Sequence, residues 1–306
     1  EKVVPYFGTV DKPECHMLYN VTTMATTWHT VATRDTRLLK RQLDIVNNLP
    51  KEYVFLNYLR CHDDIGWGLD YATLMTEGFG ERSHKQYLND YFQGYAGESV
   101  SRGELYNADP ITGDARFCGT TASMCGIEKA GFEQDEQAME RAIQMDVMLH
   151  AYMFMQSGIP VLYSGDEIGQ VNDYTYKEDP DKVQDSRYLH RGAMNWKLAE
   201  NITDDKTVEG RMFKRLGRLE EIRKSEKVFM TDADTWTMET GDNSVLGIGR
   251  AYGKETLLGL FNFSEYNKTA RISDEEAAYT DLLSGKMLKA GTVELPPYGF
   301  LYLKKA

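Results

Sequence analysis

Cys61-His62-Asp63-Asp64 sets a thiol, an imidazole and two carboxylates in four consecutive positions, with Ile65 and the breaker Gly66 after them. Just upstream, Tyr53-Val54-Phe55-Leu56 is an apolar run of strand length that reads as a buried parallel strand. The ionisable groups therefore stand where a strand leaves its sheet, the edge at which α/β folds bind ligands. A plainer reading stays open at this point, because a His-Asp pair at a strand end can simply cap the next loop. The same arrangement recurs once: Ile159-Pro160-Val161-Leu162-Tyr163 is a short buried strand that ends on Ser164-Gly165-Asp166-Glu167. The six histidines, at 16, 29, 62, 84, 150 and 190, show no metal spacing such as His-Glu-x-x-His, so no catalytic metal is expected. No Gly-x-Gly-x-x-Gly turn or P-loop is present either, which argues against a nucleotide cofactor.

The elements that must position these groups follow from periodicity. Cys15–Tyr19 is a short strand. Val21 to Asn48 repeats apolar residues near a 3.6-residue period and predicts one long helix, stopped by Pro50. From Asp64 to about Gly131 the chain is rich in Gly, Tyr, Asn and Asp, with only short periodic pieces such as His84–Phe92. A connection that long is uncommon unless functional, and it reads as a lobe inserted over the strand end. Glu133–Ser157 is the next strong helix. Its Met139, Met145, Met148, Met153 and Met155 read as core filling rather than a redox or metal feature. Gln170–Trp196 is a long polar loop and Val208–Lys224 a helix. Short β-type runs then follow at Thr235–Met238, Ser244–Gly249, Thr256–Asn262, Lys268–Ile272 and Phe300–Leu303, which predicts a small sandwich. The boundary falls near Ser225. Alternation of strand and helix before it favours a parallel sheet, either an open doubly wound sheet or part of a (β/α)8 barrel.

Length and charge bound the function. The 306 residues include 35 Lys plus Arg against 47 Asp plus Glu, for a net charge of −12. That argues against nucleic acid or an anionic membrane as the main partner. Cys15, Cys61, Cys118 and Cys125 form no Cys-x-x-Cys, and reduced thiols in a cytoplasmic protein are the simplest expectation. No apolar run approaches the ~20 residues needed to span a bilayer.

Several motifs together resemble one family. Tyr58–Gly66, with His62-Asp63, resembles the seventh-strand motif of the alpha-amylase superfamily of retaining glycosidases, and Gly158–Glu167 its eighth-strand motif. Asp63-Asp64-Ile65-Gly66-Trp67, Asn172-Asp173-Tyr174, Asp185-Ser186-Arg187 with His190-Arg191, Tyr106-Asn107 and Thr112-Gly113-Asp114 with Arg116 are similar to the amylosucrase and sucrose hydrolase group. Asn262–Tyr266 fits that group's C-terminal sandwich. The resemblance implies the C-terminal part of a (β/α)8 barrel over residues 1–225, holding strands six to eight. It places the lobe, about 64–131, after strand seven, and an all-β sandwich at 226–306. The implied activity is transfer of a glucosyl unit from sucrose to an α-glucan or to water through a covalent glucosyl-enzyme. The implied alternatives are an α-glucosidase on malto-oligosaccharides and a non-catalytic sugar-binding fragment.

The resemblance also assigns roles. Asp63 is the third carboxylate, which stays ionised against the oxocarbenium-like transition state, and His62 bonds the same sugar ring. Arg187 pairs with an upstream Asp and closes the floor of a pocket for one glucosyl unit. Asp64, Arg116 and Glu14 surround the second sugar, and Asn107 belongs to the lobe. Trp67 is open between a sugar platform and a core aromatic. Asp166-Glu167 is read as structural. The family's nucleophile and acid/base follow strands four and five, both upstream of this sequence. Glu1 is read as lying a few residues past the acid/base position. The expected partner is therefore the N-terminal half of the same barrel. Lys85 and Leu105 stand where amylosucrases tend to carry Arg and Gln for holding glucan acceptors. This favours hydrolysis or transfer to short acceptors.

Overall fold

The computed structural model describes residues 3–9, 11–274 and 277–306; Glu1 lies outside them. Three short parallel strands, Met17–Tyr19, Val54–Asn57 and Ile159–Pro160, pair in that order. Asn57 ties them together at one end: its amide takes a bond from Asn20 Nδ2 at 2.9 Å and donates to the Ser157 carbonyl at 2.7 Å. No strand among the described residues pairs with the outer edge of Met17–Tyr19 or of Ile159–Pro160. Apolar side chains stand exposed beside both edges, with Met17 at 47%, Tyr19 at 53% and Val161 at 38%.

The single long helix expected from Val21 to Asn48 is two helices, Val21–Thr33 and Arg37–Asn47. The break is local chemistry rather than a lost apolar period. Arg34 takes the left-handed conformation at φ 58° and sends its guanidinium to Glu265 at 2.6 Å. The Asp35 carboxylate then receives the Arg37 backbone N–H, satisfying one of the orphan donors that open a helix. Glu136–Met155 is capped by Asp135, which accepts from two backbone N–H groups. Its five methionines are all buried.

After Val208–Ser225, a six-stranded antiparallel sheet runs Met287–Lys289, Ala278–Asp281, Phe300–Lys305, Glu255–Asn262, Val245–Tyr252, Asp234–Met238. A second pair, Lys268–Ile272 with Gly291–Leu295, covers one face of it over Val245, Leu258, Leu260 and Leu303. The other face joins the main core: Tyr152 packs edge-on against Phe261 and Phe263, and the Tyr302 hydroxyl donates to the Ala151 carbonyl at 2.6 Å. Arg250, fully buried, donates to the carbonyls of Val228, Met230, Met155 and Gln156. Burial holds its pKa down to about 9. The guanidinium thereby staples the sheet to the long helix. Three strands of this sandwich escaped the sequence reading because each spans five residues or fewer and turns at most two large apolar side chains inward.

The lobe packs on the first helix through two buried imidazoles, His29 and His84, whose rings lie 5.0 Å apart. Burial, then the neighbouring His84, lowers the His29 pKa to about 3. Because the folded value lies below the unfolded one, the unfolded chain binds the extra proton between the two. Stability is then complete above about pH 6.5 and falls as the pH drops toward 3, by about 1.4 kcal/mol per pH unit. Unfolding free energies from urea titrations at pH 7 and pH 4.5 should differ by about 2–3 kcal/mol less in His29→Phe than in the unaltered protein. An equal acid loss in both would contradict this.

Candidate active site

Beyond strand Val54–Asn57 the chain continues through Tyr58-Leu59-Arg60, all buried, with the Leu59 carbonyl pinned by Trp28 Nε1 at 2.7 Å. The chain then surfaces abruptly: the His62 and Asp63 side chains are 64% and 58% exposed. His62 Nε2 lies 3.5 Å from Asp63 Oδ2. Asp64 points the other way, toward Arg116 Nη1 at 3.5 Å. Gly66 leaves room for this side chain, since a Cβ at that position would sit 3.0 Å from the same nitrogen.

Loop 170–196 supplies the rest. Arg187 closes a two-pronged fork on Asp185, Nε at 2.8 Å and Nη2 at 2.7 Å. The fork holds the Asp185 carboxyl below the usual carboxylate range. Arg187 also lies 4.8 Å over the ring of Tyr106, which pairs across the lobe ladder with Arg116. Arg191 donates from Nε to the His62 carbonyl at 2.5 Å, and its Nη2 lies 3.7 Å from Asp63. Asp63, Asp64 and Asp185 thus alternate with Arg116, Arg187 and Arg191 at the carboxyl end of a parallel strand. Such a cluster offers both acceptors and donors to a polyhydroxyl ligand.

Of the residues singled out from sequence, His62, Asp63, Asp64, Arg116 and Arg187 come together here. Asn107 follows Tyr106 in the left-handed conformation at φ 49° and is exposed at the lobe edge. Glu14 does not reach the cluster. It follows a hairpin, Gly8–Thr9 with Lys12–Pro13, that is bonded to Tyr53, at the opposite end of the sheet. Trp67 is a core aromatic, 3% exposed, bonded to Asn89 and stacked on Phe92. Lys85 is held by Glu81 at 2.9 Å and Asp114 at 3.3 Å. Leu105 packs against the core. Among the described residues no group of three or more His, Cys, Asp and Glu is arranged to hold a metal ion, and no helix is long and apolar enough to cross a membrane.

Beneath the cluster lies a buried charged network of which the sequence reading assigned only Asp166, as structural. Arg60 and Asp166, each about 2% exposed, meet at 2.7 Å. Thr121 Oγ1 donates to the same Asp166 oxygen at 2.6 Å. His150 Nε2 stands 4.0 Å from the other, and His150 Nδ1 lies 2.9 Å from an Asp146 carboxylate oxygen. Burial opposes the His150 charge, but the hydrogen bond and charge of Asp146 raise its pKa on balance. Arg60 Nη1 also donates to the His190 carbonyl at 3.2 Å. The available signal was Arg60 itself, a cation closing an otherwise apolar run.

Solved structures carry the same architecture. They include an alpha-amylase from H. orenii, with a TM-score of 0.53 and 14% identity, over 100% of this chain and 51% of that one. Another is a sucrose 6F-phosphate phosphorylase from Thermoanaerobacter thermosaccharolyticum, with a TM-score of 0.60 and 16% identity, over 90% of this chain and 47% of that one. The fold is thus of the alpha-amylase type, an α/β part followed by a β sandwich. Residues 248–305 match the model of the beta-galactosidase C-terminal domain. Among curated proteins, the glucosylglycerate phosphorylase of Escherichia coli (strain K12) is 24% identical over 305 residues, 98% of this chain and 50% of that protein. The chain therefore spans about half the length of the curated relative it matches.

Proposed function

We propose that this chain forms strands six to eight of a retaining glucosyl-transfer barrel. It would move a glucosyl unit from sucrose to an α-glucan, a short acceptor or water. The observation that carries the reading is Asp63 beside His62 at the carboxyl end of a parallel strand, faced by the Arg187–Asp185 fork. The open strand edges and exposed Met17, Tyr19 and Val161 support an N-terminal barrel half as partner, which would supply nucleophile and acid/base. The nucleophile attacks the anomeric carbon as fructose leaves, and water or a hydroxyl resolves the glucosyl-enzyme. Asp63 stays ionised throughout and strengthens its hold on the ring hydroxyls as positive charge develops. His62 bonds the same ring. Arg187, made rigid by Asp185, closes the pocket behind one glucose unit, while Asp64 and Arg116 face the leaving or accepting sugar. Asn107 lies at the acceptor edge. Lys85, tied to two carboxylates, and Leu105, packed inward, leave little to grip a long glucan.

A second reading has the same donor pocket but phosphate as acceptor; two of the relatives are phosphorylases by name. Products of the complete enzyme decide. Fructose from sucrose without added phosphate supports the first reading. Turnover that requires phosphate, or release from maltose alone, would overturn it. Arg187→Lys should raise KM for the donor about 10-fold with kcat within about threefold, since Lys cannot reproduce the fork and the pocket wall acts on ground and transition state alike. Unchanged KM would remove Arg187 from the pocket.

A further inference from the structure

The His62 carbonyl has an unusual set of neighbours. Arg191 Nε donates to it, and the His190 Nε2 atom lies 3.5 Å away. His190 is buried and fully engaged. Its Nδ1 accepts the Gly119 backbone N–H at 3.1 Å, so in the neutral ring the proton sits on Nε2, facing His62. Burial and then the adjacent Arg60 charge lower its pKa to about 4, which keeps the ring neutral. The His190 carbonyl is in turn held by Arg60, itself fixed on Asp166. The dipeptide His190-Arg191 therefore bridges four places: Gly119, the buried Arg60 beyond the strand end, the backbone of His62 and the carboxylate of Asp63. It also follows Arg187 by three residues on the same short helical turn, Ser186–His190.

We propose that His190 and Arg191 are positioning residues that set Asp63 against Arg187 by clamping the His62 carbonyl from two sides. This rests on the glucosyl-transfer reading above. Neither side chain needs to touch the sugar. A carboxylate that stabilises a transition state loses effect steeply when displaced, and a displacement near 1 Å can cost about 100-fold. The loss falls on kcat, because ground-state binding depends on the pocket wall rather than on Asp63 charge development. A role confined to folding would lower melting temperature and active fraction, yet leave the kinetic constants of the folded fraction unchanged.

The test uses the complete enzyme with sucrose as donor, titrated for active sites. His190→Ala should lower kcat about 10- to 100-fold with KM within about threefold. His190→Gln, whose side-chain amide N–H can still donate toward the His62 carbonyl, should recover most of that loss. Arg191→Gln provides an independent variant on a partly exposed side chain, and should show the same kcat loss at an unchanged melting temperature. Kinetic constants within threefold of the parent in Arg191→Gln, or no recovery in His190→Gln while His190→Ala folds, would overturn the proposal. Asp63→Asn is the control that separates the two claims: if it retains turnover, the glucosyl-transfer reading fails rather than the clamp.

Discussion

Asp63→Asn in the complete enzyme is expected to cut kcat for fructose release from sucrose by about 10³-fold, with little change in melting temperature. The substitution keeps shape and removes charge. A carboxylate aimed at developing positive charge is worth several kcal/mol, and a neutral amide offers only its dipole. Folding should not notice, because Asp63 is more than half exposed and its contacts, His62 at 3.5 Å and Arg191 at 3.7 Å, are long. Steady-state kinetics with a melting curve on the same sample checks both halves. A kcat within tenfold of the parent would remove Asp63 from the chemistry.

The largest effect on stability is expected one layer below. Asp166→Ala should destabilise the protein by about 3–5 kcal/mol, because it strands Arg60 in the interior. The neighbourhood makes the loss severe. Arg60 and Asp166 are almost wholly enclosed, and His150, whose pKa Asp146 holds up, would face Arg60 with no intervening anion. Removing both charges is different. Arg60→Met with Asp166→Leu leaves no uncompensated ion and should recover much of the stability, since a buried pair contributes little net once desolvation is counted. Its activity should stay low, because Arg60 no longer holds the His190 carbonyl. Urea midpoints of the two single variants and the double variant form the cycle. Additive losses would mean that the pair is not coupled.

How far the sequence could be read is clearest at individual residues. Helices Glu136–Met155 and Val208–Ser225 were legible because long runs of helically spaced apolar residues and side-chain N-caps agree. The break at Arg34 was not: apolar spacing runs through it, and the Glu265 that receives Arg34 lies far along the chain. His62, Asp63, Asp64, Arg116 and Arg187 carry quotable motifs, and strand-end placement brings them together. Glu14 had only local spacing in its favour, and parallel strands put it at the other end of the sheet. Arg60, Asp166, His150 and His190 act through contacts more than a hundred residues apart in places, which no local pattern encodes. The Arg250 staple is of the same kind, since its acceptors are carbonyls and leave no trace in residue type.

The central claim is that this chain contributes one ionised carboxylate and the pocket floor to a glucosyl-transfer site completed by another barrel segment. It is tested most directly by measuring fructose released from sucrose by this chain alone, by the complementary barrel half alone, and by the two co-expressed. The account predicts release only from the co-expressed pair, abolished by Asp63→Asn in this chain. Comparable release from this chain alone, or a pair that stays active with Asn at position 63, would contradict it.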